Sequence, residues 1–191
     1  MTTPPPLTPD QLAQLTAARL AGRKIRRAVS VATFDGWTIA IFAALTFLCG
    51  LSSPATILLG LGMAVVSYVE LTNAAKLRRV DPSAPRRLAF NQLALASMLI
   101  LYALWSLHTQ SDNKELQSLI ASEPAAAEML KSLQPLVQRI TVAIYASLIA
   151  VAILAQGGTA LFYYTRTKHI QAYLAQTPPW ILQLQKAGFA L

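Results

Sequence analysis

No charged residue lies between Asp35 and Glu70. As one helix that stretch would be roughly 50 Å long, well beyond the ~30 Å hydrocarbon core of a bilayer. Gly50, Ser52, Ser53 and Pro54 sit at its middle. It therefore reads as two membrane-crossing helices joined by a tight turn, and lipid becomes the solvent for the rest of the chain.

Composition supports this reading. Of 191 residues, 54% are hydrophobic and 13% charged, against about 25% charged in ordinary soluble domains. The charges cluster between long apolar runs, as in polytopic membrane proteins. The net charge of +8 belongs to residues flanking those runs. No aromatic-interleaved basic face accompanies it, so nucleic acid is not an expected partner. Cys49 is the lone cysteine, which excludes an internal disulfide, a CxxC pair and a thiolate metal site. The first apolar run is too long for a signal-peptide core and is expected to stay as an anchor.

Three regions follow. Residues 1–30 form an N-terminal arm. Its start, MTTPPPL, is expected to be extended. Thr8-Pro9-Asp10-Gln11 has capping-box spacing and opens a basic amphipathic helix from about 9 to 30. Residues 31–165 form the membrane domain, an all-α bundle of four spans at about 32–51, 54–75, 88–107 and 137–164. The connection 109–136 is expected to carry two short amphipathic helices over the outer mouth. One begins near Asp112 and Glu115 and bears Leu116, Leu119 and Ile120. The other begins at Ser122-Glu123-Pro124 and bears Met129, Leu130 and Leu133. Residues 166–191 form an interfacial tail with a last short helix after Pro178-Pro179.

Thirteen of the sixteen Lys and Arg residues fall in the arm, the loop after the second span, and the tail. Lys114, Lys131 and Arg139 alone lie on the other side. By the positive-inside rule both termini are expected in the cytoplasm, which suits a bacterial inner membrane. Arg23, Lys24, Arg26, Arg27, Arg78, Arg79, Arg86 and Arg87 are expected to meet lipid headgroups.

Asp35 and Glu70 are equally far in sequence from the Ser52-Ser53 turn, each roughly 26 Å below it. They share one layer near the inner boundary. Asn73 lies one turn from Glu70, Asn91 and Gln92 open the third span, and Gln156 and Thr159 lie in the same half of the fourth. These seven residues form a candidate polar layer, because polar groups within spans are rare and often functional. The simplest structural account is that Asp35 and Glu70 pair with snorkelling Arg27, Arg78, Arg79 or Arg87.

Small residues mark candidate helix-packing positions: Gly60 and Ala64 in the second span, and Ala143, Ser147, Gly157 and Gly158 in the fourth. They are expected to serve the internal bundle, and the glycine pair to permit a kink beside Gln156. Trp37, Trp105, Trp180, Tyr163 and Tyr164 read as an aromatic belt. His108 and His169 fall on opposite sides of the membrane and cannot share a metal or haem. There is no phosphate-binding glycine loop, HExxH or nucleophile elbow.

No cofactor, metal or catalytic residue is therefore expected. The leading expectation is a non-enzymatic membrane subunit or scaffold that assembles with partner membrane proteins or with itself, in contact with membrane lipids. The alternative is a small transporter or channel using the acidic and amide layer around Asp35 and Glu70.

Overall fold

The computed structural model describes residues 7–50, 53–110 and 124–189, with side chains throughout except at 110 and 124–131. The described residues are helical without strands. The elements are α1 (Pro9–Ala21), α2 (Arg23–Cys49), α3 (Pro54–Arg78), α4 (Ala84–Gln110), α5 (Pro124–Val151), a π-helical turn (Ala152–Gln156), α6 (Gly157–Gln176) and α7 (Pro179–Lys186). Four helical stretches are long and apolar enough to cross a membrane: Arg23–Cys49, Pro54–Arg78, Ala84–Thr109 and Ser132–Gln176. This is an all-α polytopic bundle.

The capping box forms as its spacing predicts. The Thr8 hydroxyl accepts from the Gln11 amide at 3.3 Å, and the Gln11 side chain accepts from the Thr8 amide at 3.0 Å. The helix it starts is shorter than expected. It breaks at Gly22, and Arg23, Lys24, Arg26 and Arg27 instead open α2, which continues into the first span. The expected short helix at 112–120 and the extended start at 1–6 lie outside the described residues. The second expected short helix is not separate. α5 runs unbroken from Pro124 into the fourth span, with Pro135 inside it.

Gly50 makes the first hairpin possible. A Cβ there would fall 2.6 Å from Thr56 Cβ and 2.7 Å from the Thr46 carbonyl oxygen, closer than any side chain tolerates. At the other end of α3 the chain reverses through Val80 at φ 60°, a conformation β-branched residues rarely adopt. Val80 is buried there against Ala84, Leu88 and Leu77, which offsets strain of order 1–3 kcal/mol. Asp81 then fastens the turn. Partial burial works against its carboxylate, but the Ser83 amide and hydroxyl, each at 2.8 Å, with Arg87 and Lys76 nearby, hold it below the ordinary carboxylate range.

Helices α2, α3, α4 and α6 pack tightly only at the arginine-rich end. One apolar cluster there joins Ile25, Ala28 and Ala32 to Leu77, Leu88, Ile170 and Tyr173. A second, deeper in the span, joins Ile39 and Ala43 to Met63, Val66 and Leu95. Gly36 sits between them. A Cβ at Gly36 would meet Leu71 Cδ2 at 2.8 Å and Cγ at 2.9 Å, so α2 and α3 approach closely through that position. The fourth span is different. α5 leans mainly on α4, with a Tyr102–Tyr145 edge contact at 6.4 Å between ring centroids, and most of its described surface is exposed.

Two outcomes follow. Gly36→Val is expected to cost about 1–3 kcal/mol by overpacking, whereas Gly158→Ala, with nothing within 4 Å of the added carbon, is expected to be neutral or stabilising by about 0.5–1 kcal/mol; thermal unfolding of both in detergent checks this. The depressed Asp81 carboxylate contributes stability above its unfolded value of 3.8, and that contribution is lost as pH falls through the folded value. Asp81→Asn should therefore unfold at a lower temperature than wild type at about pH 6, with the gap narrowing as the pH falls below 3.8.

Candidate functional site

α2, α3 and α4 bring Asp35, Glu70, Asn91 and Gln92 together between the two apolar clusters. Glu70 and Gln92 have no solvent exposure, Asn91 has 8%, and Asp35 is half-buried. The Asn91 side-chain amide donates both to Glu70 Oε2 at 2.7 Å and to the Val66 carbonyl at 2.9 Å. The Gln92 side-chain amide donates to Asp35 Oδ2. The adjacent pair Asn91-Gln92 thus divides its attention, one amide to each carboxylate. Ser67 ties the hairpin at the same level, its hydroxyl donating to the Gly36 carbonyl at 2.8 Å.

The expected pairing of these acids with arginines does not occur. Among the described residues neither Asp35 nor Glu70 forms an ion pair; amides hold both. The reason is geometric. Arg27, Arg78, Arg79 and Arg87 are all exposed and lie one to two turns or more toward the surface, with the arginine-side apolar cluster between them and the acids.

Asn73 is buried one turn along α3 from Glu70, its amide donating to its own helix at Val69 O, 2.8 Å. Gln156 and Thr159 do not join the cluster. Thr159 bonds to the Ala155 carbonyl of its own helix at 2.8 Å, and Gln156 ends the π-helical turn, half-buried. The fourth span is represented instead by Tyr163. Far from standing in an aromatic belt, it is fully buried and lies against the Glu70 carboxylate. The helix continues to Gln176, so Tyr163 lies well inside it. Arg166 and Lys168 gave the appearance of an earlier exit. Trp37, Trp105 and Tyr164 are exposed, as a belt requires.

Hydrogen bonding in the cluster is incomplete. Glu70 Oε1, Gln92 Oε1, Asn73 Oδ1 and the Tyr163 hydroxyl are buried without a hydrogen-bond partner. Three are acceptors and one can donate, so acceptors exceed donors among these atoms. A carboxylate, two amide oxygens and a phenol of this kind are suited to holding a proton or a hard cation. Among the described residues no group of three His, Cys, Asp or Glu side chains converges on a point.

The helix-packing candidates divide. Gly60 is buried with the Phe47 ring 3.2 Å from where its Cβ would sit, while Ala64 is exposed and Gly62 instead faces Met98. Ala143, Ser147 and Gly158 are exposed and Gly157 has no close neighbour, so these residues do not serve the internal bundle. The π-helical turn stands immediately before the glycine pair, where the kink was expected. All eight expected headgroup cations, Arg23, Lys24, Arg26, Arg27, Arg78, Arg79, Arg86 and Arg87, are exposed.

No family model, curated protein or solved structure matches this chain.

Replacing Asn91 by Leu leaves the Glu70 carboxylate buried without its donor and is expected to cost about 1–3 kcal/mol or more. The double variant Glu70→Leu/Asn91→Leu removes both partners and should recover most of that loss. Thermal unfolding of the three proteins in one detergent tests this; strictly additive losses would show that the two side chains do not act as a pair.

Proposed function

We propose that this chain is a small membrane transporter or channel that moves protons or a hard cation through the Asp35–Glu70 cluster. One observation carries the reading: two carboxylates lie at membrane depth beside amides and a phenol, with no cation paired to either among the described residues. Negative charge in a low-dielectric interior requires a compensating positive charge, and no side chain of the described residues supplies it. A mobile cation or proton can. Half-buried Asp35 offers the approach and fully buried Glu70 the inner position, with Gln92 and Asn91 orienting them. The lysine and arginine bias supports placing both termini and the arginine-rich end in the cytoplasm, as in a bacterial inner membrane.

A second reading, the integral membrane subunit or scaffold, is favoured by a separate feature. Ala143 and Ser147 are exposed on a helix whose large apolar residues, among them Ile140, Ile144 and Val151, are also exposed. Small residues on such a face allow another helix to approach closely in lipid. Neither reading assigns the chain a reaction.

Liposome reconstitution separates them. Wild-type protein is expected to dissipate an imposed proton or sodium gradient, followed with an internal pH or sodium dye. Glu70→Gln and Asp35→Asn should each slow this by about tenfold or more while eluting from a sizing column as wild type does. Full flux in both variants rejects the transport reading. A stoichiometric companion or self-association in native mass spectrometry, with no flux in wild type, would instead support the scaffold.

A further inference from the structure

A groove of about 200 Å³ opens at the arginine-rich end, between the start of α2, the end of α3, and the α6–α7 corner. Its polar lining is Arg26, Arg78, Ser30 and Gln185. Its apolar lining is Ile25, Val29, Val80 and Phe189. We propose that this groove binds the phosphate of an anionic phospholipid headgroup, with Arg26 and Arg78 as its clamp and the apolar wall against the upper part of the lipid.

Charge is the first ground. Among the described residues no acid pairs with Arg26 or Arg78. Arg26 gives one donor to the Arg19 carbonyl at 2.6 Å, which fixes its guanidinium at the groove and leaves the other donors free. Guanidinium groups are the side chains best matched to phosphate oxygens. Depth is the second ground. Arg26 and Arg78 are equally far along their helices from the first hairpin turn, roughly 39 Å from it. That passes the ~30 Å hydrocarbon core and reaches the headgroup layer, within a full thickness of about 40–45 Å. The mixed lining is the third. Phe189 and Ile25 would be misplaced in a site for a free inorganic anion but suit an amphiphile. The walls are also held in place: Tyr173 is buried and its hydroxyl donates to Gln185 Oε1 at 3.0 Å, joining α6 to α7 beneath the groove. This site is separate from the carboxylate cluster, which lies deeper by roughly 12 Å along α3.

The test is native mass spectrometry of the full chain in neutral detergent, titrated with phosphatidylglycerol or with phosphatidylcholine of the same acyl chains. Phosphatidylglycerol is expected to bind about tenfold more tightly, and Arg26→Gln/Arg78→Gln to remove that preference. The control Arg27→Gln/Arg86→Gln, which removes the same charge outside the groove, should retain it. Phe189→Ser leaves the cations intact, sits at the exposed end of the chain and should weaken phosphatidylglycerol binding several-fold. Equal loss in both arginine pairs would mean diffuse surface attraction and overturn the site. Displacement of phosphatidylglycerol by millimolar inorganic phosphate, with no response to Phe189→Ser, would overturn the lipid as its source.

Discussion

Two carboxylates held by two adjacent amides set the arrangement of the bundle. Lipid offers no water to satisfy Asp35 or Glu70, so each must find donors on a neighbouring helix or remain unsatisfied at a cost of several kcal/mol. Asn91 and Gln92 meet that need only when α4 sits at one height and one rotation relative to α2 and α3. Sliding α4 by a single residue would put Phe90 or Leu93 in the place of one amide and move the other amide off its carboxylate. The close passage at Gly36 and the Ser67–Gly36 bond fix the α2–α3 pair at the same level. Helix register, ordinarily weakly specified among apolar helices in lipid, is specified here by polar matching.

Depth was legible in the sequence, while rotation about each helix axis was not. Residue counts at 1.5 Å per step place Asp35, Glu70, Asn91 and Gln92 in one layer, and these four do meet. The same counting put Gln156 and Thr159 there, but which face of a uniformly apolar helix turns inward is not marked by any amphipathic pattern. The π-helical turn at Ala152–Gln156 further shifts the helix phase just before those residues. Tyr163 takes the place instead, hidden from sequence reading by its neighbours Phe162 and Tyr164 and by the cations that follow. The arginine-pairing expectation failed for a related reason. Proximity in sequence placed the cations a few turns away, but the intervening Ala28, Ala32, Ala74 and Leu77 seal off the space a snorkelling side chain would need. The hairpin turn and capping box were readable because each depends on a few residues in fixed local order.

The two ends of the bundle are built differently. At the arginine-rich end four helices close around large side chains such as Tyr163, Leu88 and Ile170, and α7 is braced to α1 by the Trp180–Gln14 bond and to α6 by the Tyr173–Gln185 bond, each at 3.0 Å. Toward the other end the fourth span loses contact with α2 and α3 and offers small residues outward. A helix made of Ala143, Ser147 and Ala150 on a lipid-facing surface has little van der Waals contact to gain from acyl chains, yet much to gain from another helix.

This unequal packing bears on how a buried charge site can work. Apolar clusters flank the carboxylates on both sides along the spans. In the proposed transport reading, passage to the far side would open where packing is weakest, along the exposed α5. A π-helical turn followed by two glycines, with nothing within 4 Å of where either Cβ would sit, interrupts the fourth span there. Tyr163 lies on the same continuous helix and touches Glu70. That segment is thus continuous with the side chain that covers the carboxylate, whereas the amide bonds to Asp35 and Glu70 join α2, α3 and α4. On the proposed transport reading, a three-helix site capped by a side chain from the fourth helix is one whose access can change without dismantling the site itself.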